Sequence, residues 1–264
     1  MIVKAKVLFY LMAIAKSIKL CLIVLSLLVF NLLSFSPALA QDATPSYYRT
    51  KAFHNPDGIG RYYMDREIAE VMGHRAMMWL ERDSREREEQ PSAVIDHLEL
   101  KPTDSVADIG TGTGYFAFRM AELVPEGKVY AVDIQPEMLD VVEFLAEDGN
   151  ISNVEPVLAT EQNPNLKPSS VDVALMVDAY HEFAYPREVM ENLYTALKPG
   201  GKVILVEYRQ ENPMIMIKPL HKMSQKQVKK EMQAINLKWL KTQQFLPQQH
   251  FMVFQKPLTQ SDAK

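Results

Sequence analysis

The stretch from Val106 to Met120, VADIGTGTGYFAFRM, constrains this chain more than any other. Val106 to Ile109 is a short apolar run closed by a turn signal, which predicts a buried strand. Asp108, Gly110, Gly112 and Gly114 then spell D-x-G-x-G-x-G. From Tyr115 to Leu123, Phe116, Met120 and Leu123 recur at helical spacing. A strand that runs through glycines into a helix brings backbone close to a ligand, because no Cβ intervenes. The start of the helix adds free N–H groups and a partial positive charge. The dinucleotide fingerprint G-x-G-x-x-G would need glycine at position 115, where this chain has Tyr115.

Downstream the pattern alternates strand and helix. Lys128 to Val132 (KVYAV) predicts a second strand ending in Asp133, 19 residues past Gly114. A βαβ unit sets a carboxylate against a ribose at that distance. Asp133 could instead cap the helix that begins at Gln135-Pro136-Glu137. Pro136 at the helix start suits capping by another residue, which favours the ribose role. Val154 to Leu158 reads as a third strand, and Val171 to Val177 (VDVALMV) as one covered on both faces. Asp178-Ala179-Tyr180-His181-Glu182-Phe183 follows. Ligands of open parallel sheets lie beyond the carboxyl ends of the strands. Asp178, Tyr180, His181 and Glu182 are therefore the best-placed polar groups for chemistry. Arg187 to Leu197 predicts a helix, and Lys202 to Glu207 a fifth strand, with Gly200 and Gly201 making the turn between them.

The glycine loop and the segment LKPGGKVILVE together resemble the motifs of class I S-adenosylmethionine (SAM) methyltransferases, over a span from about Pro91 to Lys256. The chain looks like a signal-peptide-bearing methyltransferase of bacterial type. That resemblance implies an α/β, Rossmann-like three-layer sandwich with a seven-stranded, mostly parallel sheet whose last strand is antiparallel. It implies SAM as cofactor, with Asp108, Gly110, Thr111, Gly112 and Gly114 around the methionine part and Asp133 at the ribose. Ile134 and Asp178 complete the cofactor set. Glu161 stands where the family contacts the adenine amine, although the usual Gly-Asp pair is missing there. His181, with Asp178 and Tyr180, forms the candidate catalytic group. The ordinary pKa of histidine suits His181 to remove a proton from an acceptor. His181 and Phe183 serve equally as pocket walls, because methyl transfer can proceed by positioning alone. Segments ahead of the glycine loop commonly fold over the cofactor in this family. By that resemblance residues 41–90 form a helical lid, and His54, Tyr62, Tyr63, Arg66 and His74 are substrate-side candidates.

The first 40 residues carry Lys4, Lys6, Lys16 and Lys19, no acid, and an apolar run from Leu20 to Phe35. Pro37-Ala38-Leu39-Ala40 supplies a small-residue cleavage site, so the segment reads as a secretory signal and the expected location is exported, periplasmic. Met12 gives a better-proportioned start. An uncleaved membrane anchor is the alternative, but the run falls short of the roughly 20 apolar residues of a spanning helix. Cleavage would move the net charge from −4 to −8 and remove Cys21, the only cysteine. Met64 to Glu81 predicts a helix carrying Ile68, Val71, Met72, Met78 and Trp79. The mixed-charge run Arg82 to Gln90 predicts a solvated helix face. Glu211 to Leu220 reads as a loop near the site mouth. Ser224 and Gln227 form a capping box for a helix whose lysines read as a solvated face. Residues 257–264 read as a flexible tail.

Several chemistries are disfavoured. A Mg²⁺-assisted O-methyltransferase would need an Asp-Asn pair where Glu207-Tyr208-Arg209 stands. No Cys/His spacing suggests zinc, so no metal is expected. The core is acidic and lacks a basic-aromatic surface before residue 218, which argues against nucleic acid. A small-molecule methyl acceptor is expected. A SAM- or nucleoside-binding protein without turnover, or an NAD-dependent oxidoreductase, are the alternatives. The oligomeric state stays open.

Overall fold

The alternating apolar runs build one seven-stranded sheet, preceded by a small sheet of its own. The computed structural model describes residues 47–258, and the expected export signal at 1–40 and the end of the tail lie outside them. The first three strands, β1 (Tyr48–Thr50), β2 (Gly58–Tyr63) and β3 (Arg66–Ala69), pair antiparallel. A 3₁₀ turn at His74–Trp79 leads to two short helices, α1 (Arg85–Glu89) and α2 (Pro91–Asp96). Then come β4 (Ser105–Ile109), α3 (Tyr115–Leu123), β5 (Lys128–Asp133), α4 (Pro136–Asp148), β6 (Val154–Leu158) and β7 (Val171–Val177). The chain closes with α5 (Pro186–Ala196), β8 (Leu197–Tyr208), α6 (Gln225–Gln233), β9 (Lys238–Gln243) and β10 (Gln249–Gln255).

The strand order of the large sheet is β6-β5-β4-β7-β8-β10-β9, with β10 antiparallel to both of its neighbours. This is the Rossmann-like arrangement expected from the motifs, a seven-stranded, mostly parallel sheet with an antiparallel edge and helices on both faces. Alternate residues of β7 and β8 explain their continuous apolarity. Met176 and Leu205 face Met190, Leu193 and Met232 of α5 and α6. Leu175 and Ile204 face the side built by Phe116, Met120 and Val142 of α3 and α4. The strand order reverses between β4 and β7, and ligands of such sheets bind at that switch point. The glycine loop leaves β4 there and Asp178 leaves β7.

Three local expectations need correction. Met64–Glu81 is not a helix. Met64 (φ 47°) and Asp65 (φ 76°) form a two-residue hairpin turn between β2 and β3, with Tyr63 opposite Arg66. Such turns normally carry Asn or Gly, so Met-Asp gave no signal. The Met64 carbonyl accepts from Gln227 Nε2 (3.0 Å) and Lys230 Nζ (3.0 Å), which supports the turn from α6. The run Arg82–Gln90 is not a wholly solvated face, since Arg85 and Glu89 are buried. Lys198–Gly201 is an irregular stretch inside β8 rather than a free turn, and it shifts the register against β7. On α6, Ser224 Oγ accepts from Gln227 N (3.2 Å), the expected cap. Lys229 of that helix stands 3.6 Å from the ring centre of Trp239, an aromatic neighbour that sequence spacing hid. Among the described residues no helix is long and apolar enough to cross a membrane.

Candidate active site

A cavity of about 830 Å³ opens at the switch point, within the usual range for small-molecule sites. Gly110 and Gly112 line it beneath the 70–89 segment, which contributes Glu70, Val71, Met72, Trp79 and Leu80. Residues of the 57–89 segment thus line the cavity with the glycine loop, and where a helical segment was expected the described residues form strands, turns and one short helix. Gly112 sits at φ +55°, and a Cβ there would lie 2.5 Å from Leu80 Cδ1. The left-handed φ favours glycine here, and any Cβ would also have to push the Leu80 side chain aside.

Asp133 closes the far side of the loop. Its Oδ2 accepts from Gly112 N (3.0 Å) and its Oδ1 from Gln135 N (2.9 Å). The carboxylate therefore holds both the loop and the start of α4, and each oxygen keeps a lone pair for a ligand hydroxyl. Burial raises its pKa above the ordinary aspartate value, against the backbone N–H groups that lower it. Ile134, Thr160 and Glu161 line the next stretch of wall.

Asp108, Thr111 and Gly114 do not line the cavity. Asp108 sits behind the loop and accepts from Thr111 Oγ1 (2.8 Å), so the pair ties the loop to the end of β4. Gly114, at φ +83°, is the left-handed residue that starts α3. Burial pushes the Asp108 carboxyl up to about 6, offset in part by the hydrogen bonds from Thr111 and the Ala117 backbone and reinforced by the Asp133 charge. A raised carboxyl favours the folded state while it is protonated. That contribution is full below the unfolded value near 3.8 and is lost as pH rises through about 6. At 1.36 kcal/mol per pH unit it amounts to about 3 kcal/mol. Stability curves at pH 4–8 for the parent and Asp108→Asn should differ by a slope in that window, and parallel curves would refute the assignment.

Asp178 lines the cavity and adopts φ +49°, an uncommon conformation for a residue other than glycine. Its Oδ2 accepts from Gln249 Nε2 (2.6 Å), and its buried Oδ1 has no partner among the described residues. Burial first, then the charges of Glu89 and Glu207, hold its pKa well above the ordinary value. Beneath it Glu89 accepts from Tyr208 Oη (2.6 Å) and Arg85 Nε (2.9 Å), and also pairs with Arg82. Arg85 and Glu89 of the charge run are thus buried against the cavity lining.

His181 lines the cavity too, with Glu182, Phe183 and His221. His181 Nδ1 meets Glu207 Oε2 at 2.7 Å, and Glu207 Oε1 accepts from Tyr180 N (3.0 Å). Burial works against the imidazolium, but Glu207 and Glu182 outweigh it and raise the His181 pKa. His181 Nε2 lies 3.1 Å from His221 Nδ1, so the expected base meets a second histidine. His221 carried no sequence signal, because 40 residues separate it from His181. Tyr180 is corrected. It is fully buried, does not line the cavity, and donates its hydroxyl to Glu231 Oε2 (2.7 Å).

None of the five substrate-side candidates lines the cavity. Tyr62 donates to Glu67 Oε2 (2.8 Å), and His54 Nδ1 lies 2.8 Å from the Asn55 carbonyl. Tyr63 is buried in the core, and His74 lies 3.7 Å from Glu137. Arg66 acts structurally, with Nε and Nη2 on Glu231 (2.9 and 3.0 Å) and Nη1 on the His181 carbonyl (3.0 Å). The 59–61 stretch reaches the cavity instead through Ile59 and Arg61, and the 211–220 loop through Met216 and Ile217.

Residues 100–255 match the family described as methyltransferase domain. The chain is 30% identical over 146 residues to an uncharacterized methyltransferase-like protein of Schizosaccharomyces pombe, covering 55% of this chain and 54% of that one. It is 31% identical over 130 residues to the mitochondrial 2-methoxy-6-polyprenyl-1,4-benzoquinol methylase of Caenorhabditis elegans, covering 48% and 45%. The chain thus spans about half the length of the curated relatives it matches. A SAM-dependent methyltransferase structure from Aquifex aeolicus superposes with TM-score 0.66 at 22% identity, over 70% of this chain and 99% of that one, and shows the same fold. With more than half of its length inside the family match, the chain belongs to the methyltransferase-domain family, whose cofactor is S-adenosylmethionine.

Proposed function

We propose that the protein transfers the methyl group of SAM to a small-molecule acceptor bound between the lid and the His181 wall. The observation that carries this reading is Asp133, buried at the end of β5 and presenting its carboxylate to the same cavity as Gly110 and Gly112. Gly110 and Gly112 would bring backbone against the methionine part, Asp133 would hold the ribose hydroxyls, and Ile134 and Glu161 would flank the adenine. Bound SAM supplies a methyl group made electrophilic by its sulfonium. The protein's part is to orient donor and acceptor in line, which supplies roughly 7–11 kcal/mol of barrier lowering. The acceptor side is mixed in character, with Phe183, Val189 and Met216 beside His181, Glu182 and His221. It suits an acceptor with an apolar body and one polar group to be methylated. The benzoquinol methylase among the relatives is named for a polyprenyl benzoquinol, a molecule with an apolar body and a polar head, which supports that mixed character. An exported location belongs to the same proposal.

Calorimetric titration of the purified chain with SAM and with NAD tests the cofactor. Turnover is tested by transfer of labelled methyl from SAM to extracted metabolites and envelope fractions. Micromolar SAM binding with labelled product is the expected result. Tight SAM binding with no labelled product from any fraction would favour a binding protein without turnover. Preference for NAD would overturn the reading.

A further inference from the structure

Three side chains from two separate elements converge on one point of the cavity wall. His181 and Glu182 belong to the turn after β7, and His221 to the 219–221 turn that precedes α6. His181 Nε2, His221 Nδ1 and Glu182 Oε1 lie 3.1, 3.4 and 3.7 Å from one another, all three pairs included. A tetrahedral ion with ligand bonds of 2.0–2.1 Å has ligand atoms about 3.3 Å apart, so this triangle already has the size of one face of such a site. The outer atoms are arranged for the same purpose. Glu207 accepts from His181 Nδ1 (2.7 Å), so in the neutral ring the lone pair belongs to Nε2 on the side of the centre, and Glu207 is itself held by Tyr180 N. A carboxylate behind a ligating histidine is the usual supporting partner of a metal-bound imidazole. Glu182 Oε2 is occupied by Met72 N (3.1 Å), which turns Oε1 to the same centre. Arg66 Nη1 holds the His181 carbonyl from behind. All three ligand residues line the cavity, so a fourth coordination position would open towards a bound acceptor.

We propose that His181, Glu182 and His221 form a binding site for one divalent transition-metal ion, of which zinc is the best fit. Two imidazoles and one carboxylate suit zinc or its first-row neighbours, whereas Mg²⁺ and Ca²⁺ take oxygen ligands. Three protein ligands with an open position is the arrangement of catalytic rather than structural zinc. If the methyl-transfer reading holds, on which this part rests, the ion selects an acceptor with a hydroxyl or thiol group. It favours loss of that group's proton to solvent. The acceptor's electron pair then forms the bond to the methyl carbon, and the broken C–S pair returns to sulfur. His181 in that case acts through the ion and not as a free base.

The test uses the full chain without a histidine tag, stripped by chelator and titrated with Zn²⁺ against a chromogenic chelator. One zinc per chain at submicromolar Kd is expected, as is a visible absorption band when Co²⁺ replaces it. His221→Ala and Glu182→Gln should each weaken zinc about 100-fold or more. Glu207→Gln, behind His181, should weaken it about 10–100-fold. Failure of the unmodified chain to bind stoichiometric zinc at micromolar concentration overturns the proposal. So does unchanged affinity in both ligand variants. SAM titration of the same preparation separates the two readings. Zinc without SAM binding removes the methyl-transfer part and keeps the site, while SAM without zinc does the reverse.

Discussion

Replacing Asp133 by alanine should weaken SAM binding about 100-fold or more, read by calorimetry at neutral pH. A hydrogen bond to a charged group contributes about 1.5–3 kcal/mol, and Asp133 can accept from both ribose hydroxyls. The variant also removes the acceptor for Gly112 N and Gln135 N, so the glycine loop loses its tether. Asp133→Asn separates these effects. It keeps one carbonyl acceptor and should fall between the parent and alanine. Because burial raises the Asp133 pKa, affinity should also decline on acidification earlier than an exposed aspartate would allow. Equal affinity in parent and Asp133→Ala would mean that the ligand lies elsewhere in the cavity, and the ribose assignment would be withdrawn.

The second large effect lies away from the ligand. Glu231→Ala should cost about 3–5 kcal/mol of stability, the usual result of stranding one partner of a buried ion pair. Glu231 accepts from Arg66 Nε and Nη2, Tyr180 Oη and Gln227 Nε2, and its carboxylate is fully buried. For a domain of this size the loss corresponds to a fall in Tm of about 6–20 °C. Arg66→Met with Glu231→Leu, which removes both charges, should recover only part of the loss, because Tyr180 Oη, Gln227 Nε2 and the His181 carbonyl still lose their partners. A single-variant cost below about 1 kcal/mol would show that solvent reaches the pair. The interaction joins β3 and α6 to the carbonyl of His181, so its loss should loosen the acceptor wall more than the SAM loop.

How much of this was legible beforehand varies element by element. The glycine loop, Asp133 and the β7 terminus could be read because each requirement is local. A turn at positive φ needs glycine, and a strand covered on both faces needs an unbroken apolar run. The Met64-Asp65 turn could not be read, because its left-handed pair is held by Gln227 and Lys230 from a helix far along the chain. Arg85 and Glu89 looked solvated because their composition is that of a surface helix. They are buried because they satisfy each other and Tyr208.

The sheet from β4 onward, the glycine loop and a carboxylate at the end of β5 are legible in the sequence, since these follow from backbone conformation and short-range spacing. Which polar groups face the cavity follows from the tertiary structure alone. It turned Tyr180 and Arg66 into supports, moved Asp108 behind the loop, and set His221 beside His181 and Glu182. The physical reason is that a side chain's role depends on which partner reaches it first, and those partners come from elements that only folding brings together.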